Sequence, residues 1–183
     1  MDYSAAKAAE EIYQAFKNGD IKHLKKISIN CAESMATENE EGVFSLSVIS
    51  YVLGKLLEKP RYFRDNKNED LSSFIQTKLS LCSKYSKEGR KEDFSRETAE
   101  LLSHLGEFDQ KHRHYVIGLI DKAKLKIAAR LYAQGFSLSY VVSITGADTR
   151  EVLKYIGQTL MFDRVGKTKE VKERLENARR IFG

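Results

Sequence analysis

The sequence predicts an all-α protein, and three observations carry that expectation. Apolar residues recur at intervals of three and four over most of the chain, which is the spacing of one helix face. The 183 residues include one proline and 11 glycines, so little of the chain favours loops. Short polar connections containing glycine separate the periodic segments, and these are helix stop signals.

The elements follow in order. Ser4 is placed to cap a first helix over residues 4–18, with Ala5, Ala8, Ala9, Ile12 and Phe16 on one face. Gly19 stops it and Asp20 caps the second helix. That helix presents Ile21, Leu24, Ile27, Cys31 and Met35 inward. Asn18-Gly19-Asp20 is short enough to fold the pair into an antiparallel hairpin. The acidic run from Glu38 to Glu41 closes the second helix. The most apolar segment, VFSLSVISYVLGKLLEKP, comes next. Its Val, Ile, Phe and Tyr content would also suit a strand. Its unbroken run to Pro60 favours a central helix, stopped by that proline.

Arg61-Tyr62-Phe63-Arg64 begins a connecting loop. Aromatics between two bases could stack on single-stranded nucleic acid, but tucking the loop onto the bundle is the simpler role. A fourth helix spans 69–87 and a fifth spans 92–107, with Glu88-Gly89-Arg90 between them. The surroundings of Gly19 and Gly89 resemble each other faintly, but no repeat signature is present, so both are read as helical hairpins. From Phe108 to Gln134 the pattern is helical throughout, with Tyr115, Leu119, Ala123, Ile127 and Leu131 on one face and Gly118 as a weak point.

Charge is distributed unevenly. The chain carries 31 basic and 26 acidic side chains, for a net +5. Residues 121–183 hold 13 of the bases and 7 of the acids, so their net charge of +6 exceeds that of the whole chain. A local basic excess is the electrostatic footprint of a nucleic-acid binder. Cys31 and Cys82 lack CxxC spacing and suit a reducing compartment. The stretch MDYSAAKAAEEIYQ carries acids where a signal peptide needs bases and an apolar run, and no apolar run approaches the length of a membrane span, so neither secretion nor membrane spanning is expected. A cytoplasmic protein without membrane contact is expected.

Within the basic segment, Gly135 ends the long helix and Ser137 caps a short one over 138–144. Gly146 supplies the turn. Asp148 or Thr149 caps a further helix running to about Ile156, and Gly157-Gln158-Thr159 ends it. Val141, Val142, Ile144, Val152, Tyr155 and Ile156 are the expected inward positions. Here the chain resembles the helix-turn-helix family of DNA-binding domains, over about 35 residues once the preceding helix is included. It departs from that pattern at Val142, where the family usually has alanine. It departs again at Thr145, where an aliphatic side chain is commoner. YIGQT with the tail ERLENARRIF is also similar to small prokaryotic or archaeal helix-turn-helix proteins, a likeness that implies no activity.

The resemblance implies that the last helix enters the major groove and reads bases through Thr149, Arg150, Lys154 and Gln158. Ser137 and Ser139 would bond phosphates. Asp148 and Glu151 on the same helix would oppose phosphate contact. A final basic helix begins at Thr168. Its Lys169 and Lys172, with Lys167 just before it, either touch phosphate or form the solvated face of a dimerising helix. Gly166-Lys167-Thr168 lacks the earlier glycine of a phosphate-binding loop.

No catalytic centre is legible. His112 and His114 point to different helix faces. HExxH, GxSxG and paired glutamate-histidine motifs are absent. The whole reads as a helical bundle over 1–118, joined by a long helix to a helix-turn-helix-like domain over 119–183. The expected function is non-enzymatic DNA binding, as a transcriptional regulator and homodimer, without cofactor or metal. A helical adaptor that binds a protein partner through the bundle is the alternative, and RNA binding is a third.

Overall fold

The structure is a computed structural model that describes residues 4–35, 41–59, 69–111, 118–159 and Arg179. Among the described residues there are eight helices. They are α1 (Ala5–Lys17), α2 (Ile21–Ser34), α3 (Glu41–Leu57), α4 (Glu69–Lys87), α5 (Lys91–Lys111), α6 (Leu119–Ala133), α7 (Leu138–Thr145) and α8 (Thr149–Thr159). The protein is all-α, and the apolar segment that might have been a strand is helix α3. The expectations for residues 36–40, 60–68 and 112–117 lie outside the described residues, as does the final basic helix apart from Arg179.

The chain divides into two compact units, Met1–Ile120 and Asp121–Gly183. In the first unit the caps follow the sequence. The Ser4 hydroxyl accepts from the Lys7 amide at 3.4 Å, and the Asp20 carboxylate accepts from the His23 amide at 2.9 Å. Both hairpin turns close in the same way. Asp20 N–H donates to the Ala15 carbonyl at 2.8 Å, and Arg90 N–H donates to the Tyr85 carbonyl at 2.9 Å. In each, the glycine at positive φ lets the chain reverse and satisfies a carbonyl left over at the helix end.

The hairpins α1–α2 and α4–α5 assemble through α1 against α4, with α3 packed against α1, α2 and α5. Ile12, Leu24, Ile27, Leu46, Ile49, Leu53, Ile75, Leu79 and Leu101 are fully buried at the centre. Each contributes roughly 1.5–3 kcal/mol by leaving water.

The pairing of α2 with α3 is the most extensive in this unit, and serines make it close. The Ser47 hydroxyl donates to the Ser28 carbonyl at 2.7 Å, and the Ser28 hydroxyl donates to the Ser47 carbonyl at 2.9 Å. The Ser50 hydroxyl donates to the Leu24 carbonyl at 2.7 Å. Small side chains let the backbones approach until each hydroxyl reaches the opposite helix, so buried polar groups keep their partners.

The helix expected to run unbroken from 108 to 134 is interrupted at Gly118. Helix α5 ends at Lys111, and α6 starts at Leu119, directly after Gly118 at φ +65°. A residue in the left-handed region cannot sit inside a right-handed helix. The buried Asp109 carboxylate accepts the Leu119 amide at 3.0 Å and so caps the start of α6.

Candidate nucleic-acid interface

The second unit contains α6 from Asp121 onward, then α7 and α8. Its buried residues include Ala123, Ile127, Ala128, Leu131, Phe136, Val141, Val152 and Ile156. Alanines on α6 keep that helix thin where its neighbours pack. Of the expected inward positions, Val141, Val152 and Ile156 are buried, whereas Val142, Ile144 and Tyr155 are only half-buried. The buried valine of α7 is therefore Val141.

Two turns set the helix directions. After α6, Phe136 N–H donates to the Leu131 carbonyl at 3.3 Å across Gly135, and the buried Phe136 ring stacks on Tyr140 with centroids 5.4 Å apart. The Ser137 hydroxyl accepts the Tyr140 amide at 3.2 Å and caps α7. After α7, Gly146 takes φ +60° and ψ +20°, and its amide donates to the Val142 carbonyl at 2.9 Å.

The second turn is built differently from those at Gly19, Gly89 and Gly135. In those three the amide after the glycine reaches back to a helix carbonyl directly. At Gly146 a side chain relays it. Ala147 N–H donates to the Thr145 hydroxyl at 3.3 Å, and that hydroxyl donates to the Val141 carbonyl at 2.8 Å. Thr145 is only 2 % exposed. Its hydroxyl therefore supplies the acceptor that the turn geometry leaves out.

Asp148, rather than Thr149, caps α8. Its Oδ1 accepts from the Arg150 amide at 2.9 Å and the Glu151 amide at 3.0 Å. This carboxylate is bound to the helix start, where a negative charge complements the helix dipole. Buried Val152 and Ile156 fix which side of α8 turns inward. The opposite side carries Arg150, Lys154 and Gly157, flanked by Leu153 and Thr149 on one hand and by Gln158 and Glu151 on the other.

Thr149, Arg150, Lys154 and Gln158 are thus brought onto one helix, with described side chains that are all exposed. No ion pair ties Arg150 or Lys154 to a carboxylate among the described residues. Ser139 is exposed near the start of α7. Ser137 is also exposed, but its oxygen already serves the cap, so only its proton remains to offer a ligand. Lys167, Lys169 and Lys172 lie outside the described residues.

Two further residues of this surface, Gly157 and Leu153, are not among those expected to contact DNA. Gly157 was expected to end the last helix, but α8 continues through it to Thr159. Leu153 is 47 % exposed, the one large hydrophobic side chain so placed among the described residues.

Among the described residues, no group of three or more histidine, cysteine, aspartate or glutamate side chains could hold a metal ion. No helix of the described residues is long and apolar enough to cross a membrane. No protein-family model matches this chain, nor does any curated protein or solved structure.

Proposed function

We propose that this is a non-enzymatic, cytoplasmic DNA-binding protein of regulatory type, reading the major groove with the outer face of α8. The carrying observation is the exposed set Arg150, Lys154 and Gln158 on a helix that follows a short helix and a left-handed glycine turn. Arginine grips the guanine edge and glutamine the adenine edge through paired hydrogen bonds, each worth roughly 1–3 kcal/mol of discrimination. Lys154 and the hydroxyls of Ser137 and Ser139 suit phosphates on either side. The net charge of +6 over 121–183 supplies the long-range attraction. Buried thiols at Cys31 and Cys82 fit a reducing compartment. The helical bundle of the first unit is the natural place for dimerisation or an effector, so that two copies address half-sites about one helical turn apart.

The test is binding to a mixed-sequence DNA duplex over a salt series. The proposal expects binding at low salt that weakens steeply as salt rises, because cations on the protein displace counterions from phosphate. Absence of binding at low salt overturns it. Tighter binding to single-stranded RNA than to duplex DNA at equal salt also overturns it, in favour of RNA.

A further inference from the structure

Gly157 has no conformational or packing reason to be glycine. It lies within α8 and is absent from the glycines at positive φ, and a Cβ added to it would meet nothing within 4 Å. A helical glycine is costly relative to alanine, and that cost is normally offset by a tight turn or a close contact inside the protein. Neither is found among the described residues, and the exposed Gly157 leaves its side-chain position open.

Leu153 stands one turn before Gly157 on the same side, and Arg150 and Lys154 border it. Leu153 is also the one large hydrophobic side chain exposed among the described residues. The patch is one leucine wide, far below the roughly 800 Å² per partner of a stable protein–protein interface. Its cationic border disfavours a second copy of the same face and favours an anionic partner. An anionic surface that also offers a small apolar knob is the DNA major groove at a thymine, where the C5 methyl projects.

We propose that Leu153 packs on the C5 methyl of a thymine and that Gly157 lets the α8 backbone come close enough for it to do so. Leu153 is then a specificity-determining residue beside Arg150, and Gly157 a positioning residue. This rests on the DNA-reading function proposed above.

The experiment begins with duplexes selected from a random pool by the full-length protein. Each thymine of the selected site is then replaced singly by deoxyuridine, which removes only the methyl group. At one or more positions the native protein is expected to bind about fourfold more weakly, the effect of one buried methyl group. L153A is expected to bind the thymine and deoxyuridine duplexes equally. G157A is expected to raise the thermal midpoint, because alanine suits a helix better, while weakening DNA binding. A purely structural glycine would not separate those two readouts.

If no deoxyuridine weakens native binding while R150A and K154A do, the leucine contact is overturned and the DNA-reading function stands. If G157A is more stable and binds equally well, the close approach is overturned. If the native protein selects no duplex at all, the DNA-reading function falls and this inference falls with it.

Discussion

The turn at Gly146 depends on one hydroxyl, and Thr145→Val isolates it. Valine matches threonine in shape, so packing is kept while the relay from Ala147 N–H through Thr145 to the Val141 carbonyl is removed. The Val141 carbonyl lies within α7 and retains the helical amide four residues on. The Ala147 amide has no such reserve, and Ala147 is only 8 % exposed. A buried donor left without an acceptor costs about 1–3 kcal/mol. The 3.3 Å length of this bond sets the expectation in the lower part of that range, about 1–2 kcal/mol. Thr145→Ser keeps the hydroxyl and loses one methyl group, for a cost of about 0.8 kcal/mol. Native-state hydrogen exchange by NMR resolves the two variants, because it reads Ala147 itself. T145V is expected to lose protection at the Ala147 amide and to lower protection through α7 and α8, whereas T145S keeps the Ala147 amide slow. If T145V is as stable as the native protein and Ala147 stays protected, the hydroxyl does not hold the turn.

Three further outcomes follow from the first unit. Ser47→Ala removes the 2.7 Å bond from α3 to the Ser28 carbonyl and is expected to cost about 1 kcal/mol in chemical denaturation; Ser47→Leu overpacks the same seam and is expected to cost more, about 1–3 kcal/mol beyond the lost bond. The Glu10 carboxylate is held down to about 2, from an ordinary 4.5, by hydrogen bonds from Lys87, Gln14 and Ser83. Its stabilising contribution is therefore full above the ordinary value and is lost as pH falls from about 4.5 to about 2. Because Glu10 is 39 % exposed, solvent screening reduces the contribution to about 1 kcal/mol. Acid titration of unfolding for the native protein and Glu10→Gln checks this, and the two curves should converge at the acid end. Burial pushes the Cys82 thiol up to about 12 and raises Cys31 further, so at pH 8 both should react with a thiol reagent only as fast as the protein opens. Rapid labelling of the native protein would contradict that burial.

Helix existence was legible wherever local chemistry announced it. Ser4, Asp20 and Ser137 cap the helices that the sequence assigns to them, and Gly19, Gly89, Gly135 and Gly146 mark the turns. These are one-residue signals acting over three or four positions. What stayed hidden depends on contacts between distant segments. Ser47 and Ser50 read as polar interruptions of an apolar run, because nothing local says that the Ser28 and Leu24 carbonyls will lie opposite them. The break before Leu119 was masked by continuous apolar spacing, and it is set by Gly118 and by the Asp109 carboxylate ten residues earlier. Of the candidate site, Arg150, Lys154 and Gln158 were found from outward spacing on the last helix. Leu153 and Gly157 are not legible as part of that surface, because a leucine reads as core and Gly157 reads as part of a helix stop. Only their exposure and open surroundings mark them.

The most direct test of the central claim is DNA affinity of R150A/K154A across a salt series, beside the native protein. Both side chains are exposed, so the double variant is expected to fold normally by circular dichroism. The account predicts a loss of at least about fivefold on a selected duplex, since one bidentate base contact alone is worth about 1–3 kcal/mol. It also predicts a shallower salt dependence, by about one for each lost phosphate contact. Unchanged affinity and an unchanged salt slope in the folded double variant would contradict the assignment of α8 as the DNA-reading helix.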